Sequence, residues 1–237
     1  MRRLVPMLLI LLIAIALGFG GCLSLITGGG EDLGDVSGLE LKETTVYIGL
    51  SWEPVEGAEY YQVFRDDSLI TETSRLHYND SDVLAGEDYC YRVRAAKGWF
   101  LSNLHGGLSE AVWGNLTPID HDDPGFRAYD MDCYDLIMGM GYDFEEAGNA
   151  MDLGRIRLLT QKLENLCNDF LQESYLFNIT PDLEPALDEY RLAMDDLING
   201  CLLGLEGLDH LDQDKAYEGM DYITSGLEHL QNSVDFL

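Results

Sequence analysis

The sequence predicts a multidomain protein, with an all-β sandwich followed by an all-α four-helix bundle. Residues 36–118 contain short runs in which apolar and polar residues alternate, separated by turn-forming residues, which is typical of antiparallel strands. Residues 127–237 repeat apolar residues every three or four positions, which is typical of amphipathic helices. Residues 119–126 are polar and acidic and contain proline, so we interpret them as a linker.

The alternation in the first domain places apolar side chains on one face of each predicted strand. Three runs show it most clearly, and their core-facing residues are Ile48, Leu50 and Trp52, then Tyr61 and Val63, then Tyr89, Tyr91, Val93 and Ala95. Short strands that each bury one face pack as two antiparallel sheets around a common core. The sequence therefore predicts a sandwich.

Several motifs of this domain resemble those of a fibronectin type III domain. Trp52 matches the buried tryptophan of the second strand, and residues 61–65 match the third strand. Residues 84–89 match the tyrosine corner, and residues 108–112 match the last strand. The resemblance implies a module that acts as a spacer or presents loops for recognition, rather than an enzyme.

One loop of this domain departs from a minimal hairpin. Residues 97–107 carry the adjacent aromatic residues Trp99 and Phe100, flanked by glycines. Exposed aromatic side chains at the tip of a sandwich would form a contact patch. The alternative is that both rings fold back over the end of the sandwich or dock on the second domain.

The second domain contains four apolar stripes, each with an acidic opposite face. The stripes run from Cys133 to Met151, from Ile156 to Phe170, from Leu183 to Cys201 and from Ala216 to Val234. Helix breaks are predicted at residues 152–154, 178–181 and 207–212. Thr180 is the expected N-cap of the third helix, because Pro181 follows it. Short loops between helices predict an antiparallel, up-down-up-down bundle.

The N-terminus has the features of a secretion signal. Arg2 and Arg3 precede an apolar run that ends at Gly20-Gly21-Cys22, and a cysteine after small residues resembles the lipobox of prokaryotic lipoproteins. We expect a signal peptide at residues 1–21, lipid attachment at Cys22 and a flexible spacer at residues 22–35. The protein would then be held at the extracytoplasmic face of the membrane by this lipid anchor. The alternative is an uncleaved N-terminal anchor.

The charge balance argues against a nucleic-acid partner. The chain has 43 acidic and 14 basic residues and a formal net charge of −29. Nucleic acids and anionic lipid surfaces are bound through basic patches, so we expect no nucleic-acid partner. The acidic surface suits high salt or divalent cations, which screen self-repulsion, or it serves only to keep the protein soluble.

Four cysteines remain once Cys22 is assigned to the lipid. In an antiparallel helix pair, Cys133 and Cys167 are the two that come near the distance a bridge requires, and a modest stagger of the helices would close the gap, so they form the candidate disulfide. The alternative is that the cysteines are free thiols buried in the core. Three sequons make Asn79, Asn115 and Asn178 candidate glycosylation sites outside the cell.

The sequence contains no recognisable catalytic, metal-binding or cofactor-binding motif. There is no P-loop, dinucleotide fingerprint or haem-type cysteine motif, so we expect no enzyme activity, no cofactor and no metal site. The whole resembles small lipoproteins of archaeal cell surfaces. The predicted apolar stripes contain no inward-facing ionisable cluster, and this favours a non-enzymatic, lipid-anchored surface protein that contacts an unknown surface protein or polymer. The alternative is an accessory sensor or ligand-binding subunit with a small-molecule site in its bundle.

Overall fold

A computed structural model describes residues 33–98 and 104–237. The predicted signal peptide and lipid-attachment residue therefore lie outside the described residues. The described chain divides into two compact units between Asp120 and His121. We call them the β unit and the helical unit and treat each by itself.

The β unit consists of two antiparallel sheets. One sheet has three strands in the order β1-β2-β5, and the other has the order β4-β3-β6-β7, with β8 pairing with β6. The strands are β1 Glu40–Glu43, β2 Ile48–Ser51, β3 Tyr60–Arg65, β4 Ser68–Thr73, β5 His77–Asp80, β6 Tyr89–Lys97, β7 Leu104–Leu108 and β8 Val112–Gly114.

Both sheets contribute to one hydrophobic core. Ile48 and Leu50 enter it from the three-stranded sheet, and Val63, Tyr91 and Val93 enter it from the other sheet. All five side chains are buried, as the alternation predicts. The core face of each sheet can therefore be predicted from the period-two pattern alone.

Two tyrosine interactions stabilise this unit. The backbone N–H of Leu84 donates to the hydroxyl of Tyr89 at 3.0 Å, which confirms the predicted tyrosine corner. The hydroxyl of Tyr91 donates to the buried carboxylate of Asp80 at 2.9 Å, and the guanidinium of Arg65 donates to the same oxygen at 2.9 Å. Since Asp80 lies on β5 and its partners lie on β3 and β6, this contact links the two sheets.

The last strand of the β unit is divided. Residues 108–112, expected as one strand, instead contain the end of β7 and the start of β8. Between them Ser109 is buried, and its hydroxyl oxygen accepts from the backbone N–H of Val93 at 3.0 Å. The backbone N–H of Ser109 also donates to the carbonyl oxygen of Val93 at 2.9 Å, so the serine binds β6 through both its backbone and its side chain between β7 and β8.

The helical unit contains four long helices: α1 Asp123–Asn149, α2 Leu153–Ser174, α3 Glu184–His210 and α4 Gln213–Phe236. Helix α1 begins inside the stretch interpreted as a linker, because Asp122 caps it through the backbone N–H of Gly125 and Pro124 lies in its first turn. The expected N-cap at Thr180 is wrong. Helix α3 begins at Glu184, and Thr180 instead donates from its backbone N–H and its hydroxyl to the carboxylate of Asp123.

The residues through which two consecutive helices contact each other run in opposite order along the two helices. Between α3 and α4, the pairs are Ala186 with Ser233, Glu189 with His229, Gly200 with Gly219 and Gly207 with Ala216. Consecutive helices are also in contact at α1–α2 and α2–α3, and α1 contacts α4. The third apolar stripe, from Leu183 to Cys201, is fully buried.

None of the helices in the described ranges is long and apolar enough to cross a membrane.

Candidate functional site

Helices α3 and α4 approach each other closely because glycines lie between them. A Cβ atom added to Gly200 would lie 2.8 Å from the carbonyl oxygen of Gly219, and one added to Gly219 would lie 2.8 Å from the carbonyl oxygen of Gly200. Neither position therefore tolerates a side chain without a backbone shift. The close approach fixes the relative position of the residues that flank this crossing.

A groove of about 320 Å³ lies beside the crossing and is open to solvent. Its lining combines apolar and polar side chains from both helices: Asn199, Leu202, Leu203 and Glu206 from α3, and Glu218 and Tyr222 from α4. Leu202 and Tyr222 are exposed, with 49% and 38% of their surface accessible. The groove thus presents apolar side chains with carboxylates at its rim.

One of the rim carboxylates is held in place by a cation. The ammonium group of Lys215 forms an ion pair with Glu206, and this hydrogen bond raises the pKa of the lysine. Lys215 lies in the first turn of α4, where the side chain of Asp212 caps the helix and accepts from the backbone N–H of Lys215. The cap therefore orients the lysine that positions Glu206 beside the groove.

A second, buried group of polar side chains lies inside the helical unit. Asp130, Cys133, Tyr190 and Ser233 are all buried. The hydroxyl of Tyr190 donates to the thiol of Cys133 at 3.3 Å, and the hydroxyl of Ser233 lies 2.5 Å from a carboxyl oxygen of Asp130. Burial raises the pKa of Cys133, so this thiol is protonated at neutral pH.

Sequence reasoning missed both the groove and Asp130. The first predicted apolar stripe starts at Cys133. One turn earlier, the same face of the helix carries Tyr129 and Asp130, so an acidic residue at a core position is the sequence signal that points to this site. No comparable signal marks the groove, because it depends on how closely two glycine-containing helices approach.

The predicted contact loop and the predicted lipid site cannot be placed. Trp99, Phe100 and Cys22 lie outside the described residues, so both interpretations remain predictions.

The three sequon asparagines occupy different surroundings. Asn79 lies on strand β5, opposite Gly49. The side-chain nitrogen of Asn115 donates to Asp88 at 2.8 Å. Asn178 is exposed in the segment between α2 and α3. Glycosylation of any of them remains a prediction.

The candidate disulfide between Cys133 and Cys167 is not formed in the structure. Cys90, Cys133, Cys167 and Cys201 are all free thiols, and the last three are buried. Cys133 packs against Tyr190, as described above. Burial raises the pKa of Cys167, and Cys201 on α3 is the neighbour that raises it further. The structure therefore shows the alternative of buried core thiols.

The acidic residues before α1 serve as local structural contacts. Asp122 caps α1, Asp123 binds Thr180, and His121 lies 2.6 Å from the carboxylate of Glu173. Within the described ranges, no group of three or more histidine, cysteine, aspartate or glutamate side chains is arranged to hold a metal ion.

Comparisons with known proteins give a resemblance in fold for one part of the chain. No protein-family model matches the sequence, and no curated protein matches it. The crystal structure of FN3tt is 22% identical over 35% of this chain and 91% of its own, with a TM-score of 0.28, and a mutant of FN3tt is 20% identical over 36% and 94%, also at 0.28. These neighbours resemble a fibronectin type III-like fold over about a third of the chain.

A longer alignment joins this chain to a β-1,2-glucanase from Parabacteroides distasonis. The two are 16% identical over 86% of this chain and 35% of the glucanase, with a TM-score of 0.34.

Proposed function

We propose that this chain is a non-enzymatic, lipid-anchored surface protein that contacts another protein at the extracytoplasmic face of the membrane. The observation that carries the contact function is the α3–α4 groove, where Leu202 and Tyr222 are exposed between carboxylates. Tyrosine is enriched among the residues that dominate protein interfaces, an exposed leucine beside it adds apolar contact area, and a polar rim is typical of the border of an interface.

We further infer that the β unit is a fibronectin type III-like domain and that the helical unit is an up-down four-helix bundle. The first inference is supported by the buried Trp52, by the hydrogen bond to the Tyr89 hydroxyl and by the two antiparallel sheets. The second is supported by the antiparallel order of contacts between consecutive helices and by the contact of α1 with α4.

The charge of the protein defines the chemistry of the partner. With a net charge of −29 and with Glu206 and Glu218 at the groove, an acidic segment would be repelled and a basic one attracted. We propose that the groove takes an amphipathic segment with leucine-like side chains on one face and lysine or arginine on the other.

A peptide titration tests this contact function. The probe is an amphipathic helical peptide of leucine and lysine, followed by backbone NMR shifts of the full chain. We expect shifts concentrated around Leu202 and Tyr222, and Leu202→Ser should weaken binding about tenfold, as the loss of an interface anchor does. The matched control Leu158→Ser removes an exposed leucine of α2 and should leave the affinity unchanged.

Two results would argue against the groove. One is shift changes spread over the whole acidic surface with no response to Leu202→Ser, which indicates non-specific attraction. The other is equal binding of a peptide with glutamate in place of lysine, since that peptide lacks the complementary charge.

The lipid anchor is tested separately at Cys22. We expect mass spectrometry of the protein purified from its native membrane to show an N-terminal peptide that begins at Cys22 and carries an added lipid mass. Cys22→Ser should abolish that mass and release the protein from the membrane, because the attached acyl chains supply the membrane affinity. Recovery of an intact peptide that begins at Met1 or Arg2 contradicts the anchor.

A second candidate function is the sensor or ligand-binding subunit, with a small molecule bound inside the helical unit. The observation that favours it is the buried carboxyl of Asp130, one oxygen of which has no hydrogen-bond partner among the described residues. A small cation or amine would satisfy that oxygen. Stabilisation of the full chain by small amines that disappears in Asp130→Asn would favour this function over the groove.

A further inference from the structure

Asp130 is a carboxyl group in an unusual place. It lies on α1, and none of its surface is accessible to solvent. One oxygen, Oδ2, contacts the hydroxyl of Ser233 on α4, and the other, Oδ1, has no hydrogen-bond partner among the described residues. A charged carboxylate in such surroundings costs several kcal/mol unless a cation and hydrogen bonds compensate for lost hydration.

The hydrogen atoms around Ser233 can be counted. Its hydroxyl oxygen lies 2.5 Å from Oδ2 of Asp130 and 2.8 Å from the carbonyl oxygen of Ala186 on α3. A serine hydroxyl has one hydrogen to donate. If Asp130 were ionised, the Ser233 hydroxyl could donate to only one of these two oxygens. The other oxygen would then face a lone pair of the Ser233 oxygen.

A proton on Asp130 satisfies both contacts. The carboxyl O–H then donates to the Ser233 oxygen, and the Ser233 hydroxyl donates to the carbonyl of Ala186. Both distances lie within the usual range for O–H···O hydrogen bonds. The protonated form therefore joins α1, α4 and α3 through one continuous chain of donors.

The groups that face Asp130 offer no compensating cation. On its own helix the neighbour is Cys133, and on α3 it is Tyr190. Burial raises the pKa of both, so both are neutral. From α4 the facing group is Ser233. From α2 the carboxylate of Glu173 acts on Tyr129, whose pKa is raised first by burial and then by the charge of Glu173.

The cations in this region have other partners. The guanidinium of Arg127, on α1, donates to the carbonyl oxygen of Leu237. His229, one turn before Ser233 on α4, lies 2.7 Å from the carboxylate of Glu189 on α3. In agreement with the geometry, burial raises the pKa of Asp130 to about 7.

The contact lies in the middle of a line of contacts between two helices. Arg127 with Leu237, Asp130 with Ser233 and Tyr134 with Gln231 connect α1 to α4; we call this line the α1–α4 seam. The Asp130–Ser233 pair is the contact of this line in which both side chains are buried. The protonation state of Asp130 therefore affects how strongly α4 is held against α1.

We propose that Asp130 is protonated in the folded helical unit and that this proton stabilises the contact between α1 and α4, so that the α1–α4 seam loosens when the carboxyl ionises. The proposal does not depend on the groove or on the lipid anchor.

The direction of the pH effect follows from the pKa. In the folded state the pKa of Asp130 lies above its value of 3.8 in an unfolded chain, so the folded state binds this proton more tightly. Its contribution to stability is complete at acidic pH below the unfolded value and is lost as the pH rises through about 7. The seam is therefore tightest in acid.

The first measurement is the carboxyl ¹³C NMR titration of Asp130 in the full chain. We expect a midpoint between pH 6 and pH 8, far above that of an exposed aspartate. Asp130→Asn assigns the signal by removing it.

The second measurement is hydrogen exchange along α4 between pH 5 and pH 7, expressed as protection factors so that the intrinsic rate cancels. One linked proton predicts that protection near Ser233 falls about tenfold per pH unit in the natural chain. Asp130→Asn, which cannot ionise, should lose this pH dependence. Asp221→Asn removes an exposed carboxylate from the same helix and should retain it.

The two measurements remain informative if a variant does not fold. An Asp130 midpoint below about pH 5 in the natural chain overturns the proposal without any variant, since the carboxyl is then ionised in the folded state. Equal pH dependence of α4 protection in the natural chain and in Asp130→Asn also overturns it, because the pH effect must then arise elsewhere.

Discussion

Replacing Trp52 by alanine should lower the free energy of unfolding of the β unit by about 3–5 kcal/mol. Trp52 is 4% exposed, and its ring packs against that of Tyr61 with the centroids 5.6 Å apart. The substitution removes a large apolar surface and leaves a cavity that the two sheets cannot fill without moving. Since domains of this size are stabilised by about 5–15 kcal/mol, much of the stability of the unit depends on this ring.

The measurement is hydrogen exchange of the β6 amides in the full chain, because β6 pairs with β3, β7 and β8 and exchanges when the unit opens. Trp113→Ala is the matched control, since Trp113 lies on β8 and is 67% exposed. It should change the free energy by less than about 1 kcal/mol. Equal effects of the two substitutions would show that Trp52 does not fill the core.

The β unit could be predicted well because its core is made by alternating side chains. Ile48, Leu50 and Trp52 are buried as the pattern requires, and so are Tyr61 and Val63. The division of the last strand could not be predicted, because it depends on the hydrogen bond between Ser109 and the backbone of β6. Such a bond depends on the tertiary position of the serine, and the hydrophobicity pattern of the sequence does not indicate it.

The helical unit could be predicted in outline, but two of its apolar stripes differ from the prediction. The apolar stripe of α1 was extended to Met151, but Met151 lies beyond the helix, has a positive φ of 52° and is exposed. On α4 the predicted stripe is only partly buried, apart from Leu230. The buried positions also include Gly219, Gly226 and Ser233. Helices that meet through glycine have a contact face that an apolar pattern does not mark.

The same reason explains why the candidate sites could not be found from the sequence. The groove exists because Gly200 and Gly219 bring α3 and α4 close together. Asp130 is a polar residue in a core position, where a pattern search expects an apolar one. Both features depart from the local rule that predicts the rest of the fold, and functional sites are where such departures are expected.

Replacing Asp80 by asparagine should lower the free energy of unfolding of the β unit by about 3 kcal/mol, near the lower end of the range for a broken buried ion pair. Asp80 is 1% exposed and accepts from Arg65 and Tyr91 on one oxygen. The amide keeps the shape of the side chain and removes its charge. The guanidinium of Arg65 is then left partly buried without a carboxylate, and the link between the two sheets is weakened.

Asp67→Asn is the matched control, because Asp67 also pairs with an arginine of the β unit but is exposed. Its carboxylate lies 3.2 Å from Arg92, with 82% of the side chain accessible. Exposed ion pairs contribute about 0–1 kcal/mol, so denaturant unfolding monitored by hydrogen exchange of β6 should separate the two variants by about 2 kcal/mol or more. If the two variants were equally stable, the Arg65–Asp80–Tyr91 contact would not hold the sheets together.

If Asp80→Asn alone is destabilised, and a further Arg65→Met substitution in that variant recovers part of the loss, then the unpaired guanidinium is the cause, since an apolar side chain carries no such penalty.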